Sequence, residues 1–140
     1  MPRIADFEGR WRIARRIEDQ WMSTTGLFEG VARFTADGQG LSYREVGELR
    51  LPQEAPMAAS RNFLWREDGD GIAVFYADGA PFHRIAGDAP VVQAWHACGQ
   101  DDYEVSYNFT RWPDWRAIWR VRGPRKDYVS ITDYTRLAGD

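Results

Sequence analysis

Residues 103–110 read Tyr-Glu-Val-Ser-Tyr-Asn-Phe-Thr, in which each apolar or aromatic side chain is followed by a polar one. A period of two places Tyr103, Val105, Tyr107 and Phe109 on one face of an extended strand and Glu104, Ser106, Asn108 and Thr110 on the other. The same test turns Trp115, Ala117, Trp119 and Val121 inward and leaves Arg116, Arg120 and Arg122 outside. Working outward from these two stretches, alternation recurs at 10–18, 26–35, 41–49, 60–66, 72–76, 81–85, 91–97 and 128–136, which makes about ten strands. Between them lie turn sequences such as Asp37-Gly38-Gln39-Gly40, Asp68-Gly69-Asp70-Gly71 and Gly99-Gln100-Asp101, where glycine supplies the positive φ of tight hairpins. Connections this short make sequential strands pair antiparallel. A twisted meander of about 8–10 strands closes on itself and so removes its exposed edges.

The chain has 140 residues, the size of a single domain, which is the organisation expected for 1–140. Aromatic residues reach 14%, and such rings favour pleated, half-buried surfaces. Net charge is -3, so there is no global positive field to hold nucleic acid or an anionic membrane, and neither is expected as a partner. The arginines that cluster at Arg10, Arg12, Arg15 and Arg16, and again at Arg116, Arg120, Arg122 and Arg125, are expected on solvated strand faces. Cys98 is the single cysteine, which excludes an internal disulfide framework and fits a reducing compartment. Residues 1–9 contain no apolar leader, and no run approaches the roughly 18 apolar residues of a membrane span. A cytoplasmic location follows as the expectation.

Three stretches carry polar groups on their inward face: Tyr43, Glu45 and Gly47; Arg61, Phe63 and Trp65; and Tyr128, Ser130, Thr132, Tyr134 and Arg136. Burying an unpaired charge costs several kcal/mol, so Glu45 and Arg61, on strands expected to be neighbours, should pair with each other or meet a ligand. On the first strand Trp11, Ile13 and Ile17 face inward, and on the second Phe28, Gly30, Ala32 and Phe34. The connection at 51–57, with two prolines, is expected over one barrel mouth, and a helical turn at Ile4–Phe7 over the other.

Gly9-x-Trp11 at the start of the first strand, with Arg136 in the last, resembles the lipocalin-type calycin signature of a tryptophan closed over by a basic side chain. His96-x-Cys98-x-x-Asp101-x-Tyr103 and Gly123-Pro124-Arg125-Lys126-Asp127-Tyr128 resemble segments of an uncharacterised microbial domain-of-unknown-function family, a resemblance that spans residues 7–136. It implies an all-β fold, an antiparallel up-and-down meander closed into a lipocalin-like (calycin) barrel. It carries over no catalytic residues. The chain departs from fatty-acid-binding proteins, whose helical pair has no room at 19–25, and from haem-binding nitrobindins, because no histidine follows His96.

His96 and Cys98 share a strand face but lie about 7 Å apart at about 3.3 Å per residue, too far for direct activation of a thiol. With His83 and Asp101 they make a weak ligand set without a C-x-x-C pair, so neither a metal nor a cofactor is expected. Phosphate loops, H-E-x-x-H helices and nucleophile elbows are absent. The leading reading is an intracellular barrel that binds a hydrophobic or amphipathic small molecule, an anionic one among the candidates. Its site would be built from Tyr43, Glu45, Arg61, Trp65, His96, Tyr103, Tyr107, Trp119, Tyr134 and Arg136. Tyr134-Thr135-Arg136 resembles, in reverse order, the arginine and tyrosine with which fatty-acid-binding proteins hold a carboxylate. Two alternatives stay open: a small lyase- or isomerase-type enzyme using interior Glu, Arg, Tyr or His, and an interaction module with a filled core. A homodimer is compatible with each.

Overall fold

Alternating burial carries the chain through ten strands, which a computed structural model describes for residues 2–138. A one-turn 3-10 helix, Ile4–Phe7, precedes β1 (Gly9–Asp19), β2 (Thr24–Ala36), β3 (Leu41–Arg50), β4 (Met57–Asp68) and β5 (Gly71–Tyr76). Then follow β6 (Pro81–Ile85), β7 (Val91–Cys98), β8 (Asp101–Asn108), β9 (Trp115–Gly123) and β10 (Lys126–Arg136). They form one sheet in the order β6-β5-β4-β3-β2-β1-β10-β9-β8-β7. Every hydrogen-bonded pair is antiparallel, as short hairpins require.

The first and last strands join through a ladder that runs from Trp11 opposite Arg136 to Asp19 opposite Tyr128. β6 and β7 end the hydrogen-bonded order yet touch one another, so the sheet curls into a nearly closed up-and-down barrel. No helix among the described residues is long and apolar enough to cross a membrane.

The interior is lined by rings from successive hairpins. At one end the 3-10 helix drives Phe7, fully buried, into a cluster with Phe34, Trp65, Phe109, Trp112 and Trp115, at centroid distances of 4.9 to 5.7 Å. Mostly tilted and edge-on pairings suit the ring quadrupole. Trp11 donates its indole N–H to the Phe7 carbonyl at 2.9 Å. Arg136 lies over the other side of Trp11, its guanidinium carbon 4.0 Å from the ring centroid, and donates to the carbonyls of Glu8 (2.7 Å) and Asp6.

Gly9 explains itself here. Its φ is +119°, and a Cβ at that position would stand 3.2 Å from the Arg136 Nη1. The expected plug and the expected basic side chain over Trp11 are therefore both present, and Arg136 is consumed in closing this end. At the opposite end, the connection between β3 and β4 lays Leu51 against Gly26 of β2, so part of that mouth is covered.

Replacing Arg136 with alanine removes a cation–π contact and two charge-assisted hydrogen bonds and leaves two carbonyls to water. Urea denaturation of Arg136→Ala is expected to show a loss of about 2 kcal/mol.

Candidate functional site

The first strand places Arg15 two residues beyond Ile13 and four beyond Trp11, hence on the inward face. Arg15 is 7% exposed, which corrects the expectation that this arginine lies on a solvated face; Arg12 and Arg16 do lie outside. The physical reason is Glu45 of β3, which is 2% exposed and accepts both ends of the guanidinium, at 2.6 Å from Nη1 and 2.9 Å from Nη2. Arg15 Nε donates to the Thr132 hydroxyl of β10 at 2.7 Å. The guanidinium also lies 5.0 Å above the Phe28 ring, which reaches over Gly47, where a Cβ would come within 2.7 Å of the ring.

Arg61 of β4 stands directly opposite Glu45 in the ladder, as the expected pairing requires, with its Nε 3.0 Å from Oε2. That contact is an ion pair without hydrogen-bond geometry. The Arg61 guanidinium stacks on Trp119 at 4.5 Å, and its side chain is 35% exposed. Tyr43 donates to Glu45 Oε1 at 2.6 Å and shares a 2.9 Å hydrogen bond with the Tyr134 hydroxyl. Tyr134 in turn is stacked flat on Trp115, centroids 3.7 Å apart.

These contacts decide the protonation states. Burial alone would raise the Glu45 pKa, but the bonds from Arg15, the charge of Arg61 and the Tyr43 hydroxyl outweigh it and hold the carboxyl below its ordinary value. Glu45 is thus a locked carboxylate and a poor proton donor, which weakens the reading in which it carries protons. Burial, reinforced by the neighbouring carboxylate, pushes the Tyr43 and Tyr134 phenols up, so both stay protonated as donors. Across the barrel His83 Nε2 lies 2.8 Å from the Tyr107 hydroxyl, and burial pushes the His83 pKa down to about 3.

Tyr43, Glu45, Arg61, Trp65, Tyr107, Trp119 and Tyr134, all expected site residues, surround one interior cavity of about 20 Å³, room for roughly one water. His96 and Tyr103 lie beyond it, with rings 5.3 and 5.6 Å from Phe82, which itself lines the cavity. Arg136 is at the plugged end. The residues that sequence reasoning left out of the site are Arg15, His83, Thr132 and Trp115. The period of two through Trp11 and Ile13 was a signal for Arg15, outweighed there by the arginines around it. Among the described residues no three His, Cys, Asp or Glu side chains converge to hold a metal ion, and Cys98 is exposed.

Glu45→Ala would strand two guanidiniums in the wall, and chemical denaturation is expected to show a loss of about 3–5 kcal/mol. The histidine has its own pH window. In the unfolded chain His83 takes up a proton below its ordinary 6.5, while in the fold it stays neutral to about 3, so stability falls as pH drops through that interval. Glu45 acts lower: its contribution is present above the ordinary carboxyl value of 4.5 and is lost as pH falls through its depressed folded value. Thermal unfolding between pH 6.5 and 4.5 is therefore expected to weaken by up to about 1.4 kcal/mol per pH unit from His83, a slope that His83→Asn should flatten.

No curated protein matches the sequence. Among solved structures, the chain is similar to the S-type phycobiliprotein lyase CPES from Guillardia theta, with a TM-score of 0.59 over 98% of this chain and 92% of that one. Identity is 10%, so the likeness is one of fold, a calycin-like barrel. A family of unknown function, DUF6314, has a model that matches residues 7–136, and the chain belongs to that family.

Proposed function

We propose that this protein is a binding barrel for a small amphipathic molecule with an acidic head, admitted through the end where Arg61 stands. The observation that carries this reading is the charge balance of the interior. Two guanidiniums, Arg15 and Arg61, face one carboxylate, so the cluster holds one positive charge in excess. Arg15 is saturated by Glu45 and Thr132, whereas Arg61 makes no hydrogen bond and is partly open to solvent. An anionic head would give Arg61 the charge-assisted bonds that its fork is shaped to make. Phe63, Phe82 and Trp119 around it offer apolar contact to the rest of the molecule.

The fold likeness to a phycobiliprotein lyase supports the barrel on which this reading rests. In this reading a ligand larger than one water enters by parting Arg61 from Trp119, both of which are partly exposed. The wall has some freedom to give, since β6 and β7 meet without a ladder. Affinity then comes from the rings and orientation from the arginine.

Displacement of a fluorescent fatty acid measures the claim. Arg61→Ala is expected to weaken binding about tenfold or more, the value of one lost charge-assisted hydrogen bond, while Arg136→Ala leaves affinity unchanged. Equal affinity of wild type and Arg61→Ala would sink the proposal.

A further inference from the structure

Among the described residues, three that line an interior cavity carry a buried side-chain polar atom with no hydrogen-bond partner in the protein. These atoms are His83 Nδ1, Trp115 Nε1 and Arg61 Nε, the last of which keeps its 3.0 Å ion pair with Glu45. Buried polar groups are almost always satisfied, because leaving one unpaired costs a few kcal/mol of lost hydration. Residues with such orphaned atoms lining one space of about 20 Å³ mark a site, since that volume accepts one oxygen atom with its hydrogens and little more. Trp115 is 3% exposed and His83 9%, so bulk water does not serve them.

The chemistry of the occupant follows from what the walls can offer. An indole nitrogen and a guanidinium only donate. Neutral His83 has one donor and one acceptor nitrogen; its Nε2 is engaged by the Tyr107 hydroxyl, and in the tautomer where that hydroxyl donates, Nδ1 carries the proton and is a donor beside the indole. Glu45, the strongest acceptor in the wall, is already occupied by Arg15 and Tyr43. The cavity is therefore rich in donors and poor in acceptors.

We propose that it is a subsite for a single hydrogen-bond-accepting oxygen, filled by a water in the free protein and by a carboxylate oxygen of the ligand in the complex. The second half rests on the binding function proposed above; the first stands independently of it. The acidic head thus passes Arg61 and ends on the Trp115 indole, which makes Trp115 and His83 determinants of head-group specificity. A carboxylate fits these donors, whereas a quaternary ammonium head cannot accept a hydrogen bond from them and meets the excess positive charge of Arg15 and Arg61.

A ligand-free crystal structure tests the first half. It is expected to show one oxygen within hydrogen-bond distance of both Trp115 Nε1 and His83 Nδ1, and a dry cavity would overturn the subsite. For the second half, indole N–H resonances of the full chain are followed by NMR as laurate is added, with dodecyltrimethylammonium as the control. The Trp115 peak is identified by its loss in Trp115→Phe or, should that variant not fold, by sequential assignment of the wild type. Laurate is expected to shift the Trp115 resonance saturably, and the ammonium detergent to leave it in place. A laurate shift at Trp119 without one at Trp115 would overturn the inner subsite while leaving the binding function intact. No shift at any indole would overturn the binding function and the ligand half of this inference, while the crystallographic water decides the other half.

Discussion

A carboxylate sits almost wholly out of water at the centre of a barrel made of rings, and the rest of the interior is arranged around keeping it charged. Glu45 alone would favour its neutral form. Two guanidiniums and a phenol reverse that preference, and each comes from a different strand: Arg15 from β1, Arg61 from β4 and Tyr43 from β3 itself. Thr132 on β10 completes the Arg15 fork, so the cluster ties four strands through side chains as well as through the ladder. Such pairs contribute little net stability relative to a well-packed apolar core. They do penalise any register that separates the partners, because a shift of one residue turns Glu45 or Arg15 to the other face.

The two ends of the barrel use arginine in opposite ways. At the plugged end Arg136 caps Trp11 and binds carbonyls of the helical turn, a position with no further hydrogen-bonding duty. At the other end Arg61 rests on Trp119 beside Glu45, holding an ion pair and no hydrogen bond. Both sit over an indole, so stacking alone does not separate structure from function. Hydrogen-bond satisfaction does: a guanidinium whose donors are used is architecture, and one whose donors remain unused is available to a ligand.

The small interior is consistent with this division. Trp115, Trp119, Tyr107, Tyr134, Phe63 and Phe82 leave about 20 Å³ between them, so the resting barrel is packed rather than hollow. Binding then depends on side chains that can move together, and the partly exposed Arg61 and Trp119 are placed for that. Tyr134, pinned between Trp115 and Tyr43, is not.

The strands, their faces apart from that of Arg15, their sequential pairing, the plug at Ile4–Phe7 and the Glu45–Arg61 contact were all legible in the sequence. Each depends on short-range periodicity, turn length or neighbouring strands. Strand alternation also put Trp11, Tyr43, Tyr107 and Trp119 inside. What alternation could not say was how far around the barrel two inward side chains reach, or which end they share. Arg15 meets Glu45 across an intervening strand, His83 meets Tyr107 across the gap between β6 and β7, and Arg136 belongs to the plug and not to the cavity. Those partnerships are set by closure and curvature of the whole sheet. Local sequence therefore determined which residues point inward, and only the tertiary structure decided which of them meet.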